Sequence, residues 1–199
     1  YFPIKEYSEA IQHAKDYTDE EVEYDEDAIM YVQYTSGSTN KPRGAAITGV
    51  NVTANTYDMI KHYQTDEKDR FLSLSPLSHC FGLVAFHFVP ILSKSELCLI
   101  STKLYMNKPI IWAEMIHKFQ ATRVASLPFA LKHFIDIYQK SQKNYTWDFS
   151  HVKNLVLAGE QINYNLCQEF CSCMKKYGLG IEKIIPLYGL SESTLCVST

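Results

Sequence analysis

The chain has 199 residues, 46% hydrophobic and 13% aromatic, with a formal net charge of −3. This composition argues against a disordered chain and against a nucleic-acid-binding face, because phosphate backbones select strongly basic surfaces. We expect no membrane-spanning segment, since polar residues interrupt the longest apolar region. The six cysteines are scattered without a disulfide framework, a pattern typical of a reduced, cytoplasmic setting.

The chain begins with an acidic stretch that contains the run DEEVEYDED. We interpret residues 1–27 as a solvated lead-in segment with some helical character. Residues 28–199 are expected to form one α/β domain. Because the first residue is Tyr1 rather than Met, we expect the chain to be a piece of a longer protein.

Short apolar runs and helical periodicities alternate along this domain. Strands are predicted at 28–34, 71–75, 96–101, 123–127, 153–158 and 183–188, and helices at 51–63, 109–119, 128–140 and 164–178. Asn51 is the predicted N-cap of the first helix, and Gly178 is the predicted C′ residue of the last. The alternation predicts an α/β fold with a layered, mostly parallel sheet flanked by helices.

The stretch TSGSTNKPRG follows the first predicted strand and combines four hydroxyl groups, two glycines and two basic side chains. A loop between a strand and a helix presents backbone N–H groups to an anion, which predicts a phosphate-binding loop. The spacing of Gly37 and Gly44 does not match the Walker pattern. A Ser- and Gly-rich surface turn is the alternative. The candidate phosphate contacts are Thr35, Ser36, Gly37, Ser38, Thr39, Lys41 and Arg43.

Three later segments strengthen the phosphate-loop interpretation: PLSHCFGL (76–83), LAGEQI (157–162) and PLYGLSESTL (186–195). Together with the loop, and in this order, they resemble the motifs of adenylate-forming enzymes. That superfamily comprises acyl-CoA synthetases, firefly-type luciferases and peptide-synthetase adenylation domains. The resemblance covers roughly residues 28–199 and implies a central fragment of the family's large domain.

The stretch TKLYMNKPIIWAEMIHKFQATRVASLPFALKHF and the ending YGLSESTLCVS more narrowly resemble fatty acyl-AMP ligases. Such ligases use ATP and Mg²⁺ to convert a fatty acid to an acyl-adenylate, which they pass to an acyl carrier protein rather than to coenzyme A. The chain departs from the family patterns at Asn40, Arg43 and Cys80. These departures favour one alternative, a degenerate, non-catalytic adenylation module. An acyl-CoA synthetase is the nearer alternative, because the residues that distinguish it are expected mostly outside this chain.

The resemblance also implies roles for individual residues. Glu192 would coordinate Mg²⁺, Tyr188 would stack on adenine beside Gly189, and Ser191 would contact the α-phosphate. His79 would stand near the carboxylate being activated, with Arg43 as a catalytic charge. The adenine would be lined, mostly through backbone, by Ala158, Gly159, Glu160 and Gln161.

Three of these roles have a plainer alternative. Glu192 would favour the N-terminus of a helix through the dipole, Tyr188 would be a core aromatic, and His79 would be a core histidine. We expect His87 to be structural. The cysteines of CQEFCSC, Cys167, Cys171 and Cys173, are expected to pack rather than to bind zinc, because no fourth ligand is near in sequence.

The implied reaction is attack of a fatty acid carboxylate on the α-phosphorus of ATP, which yields acyl-AMP and pyrophosphate. By the resemblance, the Asp that binds the ribose and the Lys of the mobile C-terminal domain would lie beyond Thr199. The family's N-terminal stretch is likewise not represented in these residues. We therefore expect this chain alone to be inactive or nearly so.

Overall fold

The computed structural model describes residues 25, 27–35 and 43–199. The strands are β1 (Ile29–Thr35), β2 (Arg43–Thr48), β3 (Arg70–Ser73), β4 (Glu96–Leu99), β5 (Arg123–Ser126), β6 (Asn154–Leu157), β7 (Ile184–Pro186), β8 (Tyr188–Gly189) and β9 (Cys196–Ser198). The α-helices are α1 (Gly49–Tyr63), α2 (Val89–Ser93), α3 (Thr102–Asn107), α4 (Ile110–Phe119), α5 (Pro128–Lys140) and α6 (Tyr164–Met174). A π-helix (Phe81–Phe88) runs into α2, and 3₁₀ turns cover Lys175–Tyr177, Ile181–Lys183 and Ser191–Ser193.

A five-stranded parallel sheet forms the centre of the molecule, in the order β4-β3-β5-β6-β7. Every residue of β5 is buried, as expected for a central strand covered on both faces. The prediction of a layered, mostly parallel α/β fold is therefore confirmed. The last predicted helix ends earlier than expected, at Met174, and a 3₁₀ turn then leads to Gly178, whose φ is 90°.

The first predicted strand does not join this sheet. β1 instead pairs antiparallel with β2, a strand that the sequence patterns did not predict. The expectation that the loop after Thr35 leads directly into a helix was therefore wrong, because β2 intervenes and α1 begins only at Gly49. Residues 36–42 of that loop lie outside the described residues, so their predicted phosphate contacts stay predictions.

The N-cap of α1 also differs from the prediction. Thr48 is the N-cap, and its side chain accepts a hydrogen bond from the backbone N–H of Asn51 at 3.3 Å. The side chain of Asn51 in turn accepts from the N–H of Thr48 at 3.1 Å. This reciprocal capping box satisfies two N–H groups that the helix leaves unpaired, so Asn51 contributes from the N3 position.

Two apolar clusters pack on opposite faces of the parallel sheet, as the alternation along each strand requires. Val124 of β5 belongs to the larger cluster, while its neighbour Ala125 faces the smaller one. The larger cluster is built around Trp112, Phe134 and Phe170 of helices α4 to α6. The smaller cluster lies under α1, the π-helix and α2.

A buried ionic network joins the amino-terminal ends of β3, β5 and β6. Asp69 is fully buried, and its two carboxylate oxygens contact Lys153 Nζ at 2.8 Å and an Arg123 guanidinium nitrogen at 3.1 Å. Thr122 donates a third bond to it at 2.6 Å. Burial alone raises the pKa of Asp69, but the bonds from Lys153, Thr122 and Arg123 outweigh it and lower the pKa.

All six cysteines are free thiols. Cys167 and Cys171 are buried in the larger core cluster, and Cys173 packs against it half-buried. Among the described residues, no group of three or more His, Cys, Asp or Glu side chains is placed to hold a metal ion. No helix within the described ranges is long and apolar enough to cross a membrane.

Candidate functional site

A cavity of about 900 Å³ opens beside the carboxyl ends of β6 and β7. In open parallel sheets, ligands bind at this edge, and the volume lies within the range of small-molecule pockets. Four separate stretches of chain form its wall: the facing ends of β1 and β2, residues 78–80, residues 159–162 and residues 186–192. Segments of all four predicted motifs therefore meet at one place.

Most of the predicted site residues that the structure describes line this cavity. They are Thr35, Arg43, His79, Gly159, Glu160, Gln161, Tyr188, Gly189, Ser191 and Glu192. Ala158 does not, because it is 3% exposed and packs into the smaller core cluster. Ser36, Gly37, Ser38 and Thr39 lie outside the described residues. The shared location is an observation, whereas the chemical role of each residue stays a prediction.

The sequence patterns missed some of the cavity lining. Gln33 of β1 donates a hydrogen bond from Nε2 to the backbone carbonyl of Ser78 at 3.0 Å, and both residues line the cavity. This bond ties the hairpin to the loop that carries His79. The sequence did carry a signal for Gln33. A polar Gln inside a largely apolar strand indicates that this face of β1 meets other polar groups.

His79 is exposed at the start of the π-helix, so it is not a core histidine. Its Nδ1 accepts a hydrogen bond from the N–H of Phe81 at 3.2 Å. In the neutral imidazole this leaves the proton on Nε2, which makes Nε2 a donor. The turn is packed tightly, because a Cβ on Gly82 would lie 2.2 Å from the carbonyl oxygen of Pro76.

Cys80 connects the His79 loop to the last segment of the chain. Its side chain is almost fully buried, and the Ser191 hydroxyl donates to its sulfur at 3.8 Å. Burial raises the pKa of the Cys80 thiol, so the neutral form is favoured. The departure from the family pattern at Cys80 therefore lies directly beside a predicted α-phosphate contact.

The last segment presents Tyr188 and Glu192 on a short hairpin of β8 and β9. Leu190 donates from its N–H to the carbonyl of Leu195 at 2.9 Å, which closes the turn. Tyr188 is 63% exposed and lines the cavity, so the core-aromatic alternative is excluded. Glu192 lies exposed in a three-residue 3₁₀ turn, which is too short to supply a substantial helix dipole.

The side chain of Glu160 contacts helix α5 as well as lining the cavity. Its Oε1 accepts a hydrogen bond from the N–H of Phe129 at 2.9 Å. The preceding Gly159 has a φ of 91°, a conformation that glycine adopts without strain. Backbone contacts to a ligand therefore remain available from this loop, as predicted, while the carboxylate binds a helix.

The donor set fits Mg²⁺ held jointly with a ligand. Mg²⁺ is usually bound by one or two carboxylates together with substrate phosphates rather than by an all-protein cage. Glu192 supplies one exposed carboxylate at the cavity, and the described residues contain no three-group metal cluster. A magnesium ion that needs phosphate oxygens is consistent with this arrangement.

Comparisons with known proteins identify the family. The family described as AMP-binding enzyme matches residues 2–199. A probable long-chain-fatty-acid–AMP ligase, FadD30, of Mycobacterium tuberculosis is 30% identical over 180 residues, 87% of this chain and 30% of that protein. A putative acyl-CoA synthetase of Caulobacter vibrioides is 28% identical over 170 residues, 84% of this chain and 29% of that protein.

The comparison of folds agrees with this family assignment. A fatty acyl-adenylate ligase from Legionella pneumophila, solved with acyl adenylate and pyrophosphate, superposes with a TM-score of 0.84. It is 24% identical, and the match covers 94% of this chain and 32% of that one. This chain thus spans about a third of the length of the proteins it matches. It belongs to the AMP-binding enzyme family, and its fold is that of an adenylate-forming enzyme domain.

Proposed function

We propose that this chain forms the nucleotide and acid site of a fatty acyl-AMP ligase. The ligase converts ATP and a fatty acid to acyl-AMP and pyrophosphate. The observation that carries the proposal is the single cavity at which His79, Gly159 and Tyr188 bring three separate motifs together. The similarity to a probable long-chain-fatty-acid–AMP ligase supports the fatty acid as the substrate class.

The chemistry needs positioning more than proton transfer. A carboxylate is already ionised at neutral pH, so one of its oxygens attacks the α-phosphorus without a general base. The new bond joins the carboxylate oxygen to the α-phosphorus. The bond from the α-phosphorus to the oxygen that bridges the α- and β-phosphates of ATP breaks, and pyrophosphate leaves with that oxygen. Holding the two reactants in line and neutralising charge supplies most of the rate.

Four residues that line the cavity have a proposed place in this scheme. The exposed ring of Tyr188 stacks on adenine. The Ser191 hydroxyl donates to the α-phosphate once its proton turns from Cys80 Sγ to the ligand. The Nε2–H of His79 donates to the fatty acid carboxylate, in keeping with the acceptor role of its Nδ1. Arg43, exposed at the mouth of the cavity, binds phosphate oxygens with its planar guanidinium.

Glu192 would hold Mg²⁺ together with ATP phosphate oxygens. The ion supplies charge neutralisation at the phosphates when it is bound. The protein's own contribution is the position of the Glu192 carboxylate, which the closed β8–β9 turn fixes.

The acyl group passes from acyl-AMP to an acyl carrier protein in this proposal, in a cytoplasmic setting. The sequence resemblance to fatty acyl-AMP ligases favours the carrier protein as the acceptor. The similarity to a putative acyl-CoA synthetase keeps coenzyme A as the second candidate. The third candidate is a non-catalytic module, which the departures at Arg43 and Cys80 on the cavity wall favour.

Acid-dependent exchange of labelled pyrophosphate into ATP tests the proposal. We would compare the full-length protein and the 199-residue chain, with fatty acids of increasing length. We expect exchange by the full-length protein and none, or nearly none, by the chain alone. A second assay offers carrier protein or coenzyme A to the preformed acyl-AMP. No exchange and no ATP binding by the full-length protein would favour the non-catalytic module.

A further inference from the structure

Helix α5 begins without a cap of its own. Its N-cap residue, Leu127, has no side chain that accepts a hydrogen bond, and its first residue, Pro128, has no N–H. The first hydrogen bond within the helix runs from the N–H of Leu131 to the carbonyl of Leu127. The N–H of Phe129 has no acceptor within the helix and needs a partner from elsewhere.

Glu160 is that partner. Its Oε1 accepts from the Phe129 N–H at 2.9 Å, across 31 residues of sequence. The carboxylate also places negative charge at the positive end of a 13-residue helix, which is favourable electrostatically. Glu160 therefore acts as a helix cap supplied by a distant loop.

The same loop touches the helix start at a second point. A Cβ on Gly159 would lie 2.6 Å from Cδ2 of Leu127, so the loop backbone lies directly on the N-cap residue. Residues 159–162 are thus held against α5 by one polar bond and one close apolar contact. These same residues form one wall of the cavity.

We infer that Glu160 is a positioning residue: by capping α5 it fixes the loop backbone at which the adenine of ATP binds. The inference rests on the proposed function, because it assigns this wall to the nucleotide. It differs from a direct role in base recognition, since the carboxylate is bonded to Phe129. Removing the carboxylate frees the loop and weakens nucleotide binding without removing a ligand contact.

The test uses the full-length protein with Glu160→Ala and Glu160→Gln. The control variant is Glu114→Ala, because Glu114 is a carboxylate of α4 paired with Lys108 at 3.2 Å and does not line the cavity. Three quantities are measured: hydrogen exchange of the Phe129 amide, ATP affinity by calorimetry, and the KM for ATP and kcat in pyrophosphate exchange.

In Glu160→Ala we expect the Phe129 amide to exchange at least about fivefold faster, the size of effect typical of a lost cap. ATP affinity should fall and the KM for ATP should rise by a similar factor, with a smaller change in kcat. Glu160→Gln should recover part of the Phe129 amide protection and part of the ATP affinity, because its amide oxygen still accepts a hydrogen bond. Glu114→Ala should match the wild type in all three.

Unchanged Phe129 exchange in Glu160→Ala would overturn the capping role. Faster exchange with unchanged ATP affinity would overturn the positioning role. A failure of the proposed function is seen separately, as a wild-type protein that binds ATP but shows no acid-dependent exchange. Amide exchange and calorimetry still decide the inference in that case, whereas a wild-type protein that does not bind ATP would overturn both.

Discussion

The side chain of Asn55 pairs with the backbone of Cys196 as a neighbouring strand would. Its Nδ2 donates to the carbonyl of Cys196 at 2.9 Å, and its Oδ1 accepts from the N–H of the same residue at 3.0 Å. Asn55 belongs to α1, whereas Cys196 begins β9. The pair therefore anchors the hairpin that presents Tyr188 and Glu192 to a helix that covers the smaller core cluster.

Replacing Asn55 with Ala should reduce the free energy of unfolding by about 1–3 kcal/mol, because two backbone groups lose their partner. Asn55→Asp keeps the acceptor and loses the donor, so its free energy of unfolding should lie between those of the wild type and Asn55→Ala. Urea unfolding of the intact protein measures both. The exposed Asn144 provides the control, and equal midpoints for Asn55→Ala and Asn144→Ala would contradict the anchoring role.

Gly189→Ala should abolish adenylation and destabilise the domain. A Cβ at Gly189 would lie 2.1 Å from the carbonyl oxygen of Leu195, and this backbone atom cannot move without opening the β8–β9 turn. At Gly180, a Cβ would meet only the end of the Glu182 side chain, at 2.2 Å. Gly180→Ala is therefore the matched control and should be near neutral. Thermal unfolding and pyrophosphate exchange distinguish the two variants.

Acidic pH should lower the free energy of unfolding of the domain, because Asp69 becomes protonated. Because the folded-state pKa of Asp69 lies below its unfolded value of about 3.9, its contribution to stability is fully present above that value. The contribution is lost as the pH falls toward the lowered folded pKa. We expect the free energy of unfolding to drop over this acidic range in the wild type.

Asp69→Asn should lose this part of the pH dependence. At neutral pH it should be less stable by about 3–5 kcal/mol, because Arg123 is left buried without its carboxylate. Urea unfolding at several pH values measures both effects. Asp136, which pairs with Lys132 on the surface at 3.0 Å, is the control position. An unchanged acid slope in Asp69→Asn would assign the acid sensitivity to other groups.

Glu192→Gln should raise the Mg²⁺ concentration needed for half-maximal adenylation by about tenfold or more. The substitution keeps the size of the side chain but removes the charge that a hard cation prefers. Glu182 is also exposed and does not line the cavity, so Glu182→Gln serves as the control. A magnesium titration of pyrophosphate exchange gives the result. Identical titrations for wild type and Glu192→Gln would remove Glu192 from the metal site.

Much of the parallel sheet could be predicted from sequence, because its three inner strands are largely buried and all five strands stand out as short apolar runs. The helix at 128–140 was predicted with its observed bounds. The pairing of β1 with β2 could not be predicted, since RGAAIT carries no strand pattern and gains its conformation from the partner strand. The cap of α1 was ambiguous because Thr48 and Asn51 are both good capping residues.

The candidate site, like the sheet, was predicted from the sequence only in part. Motif residues such as His79, Tyr188 and Glu192 were predicted to belong together, and all three line the cavity. Ala158 was placed in the site by its motif, but it lies on the face of the sheet that packs against the smaller core. The bond from Phe129 to Glu160 joins residues 31 positions apart, and no local pattern records such a contact.

The cavity wall is drawn from stretches that lie as far apart in the chain as Gln33 and Glu192. A nucleotide bound there would contact all of these stretches at once and would bind only the assembled form. Folding and binding are therefore thermodynamically linked, and ATP at about 100 times its Kd would stabilise the domain by ~2.7 kcal/mol. The rise in the melting temperature of the intact protein with ATP concentration should therefore report nucleotide binding.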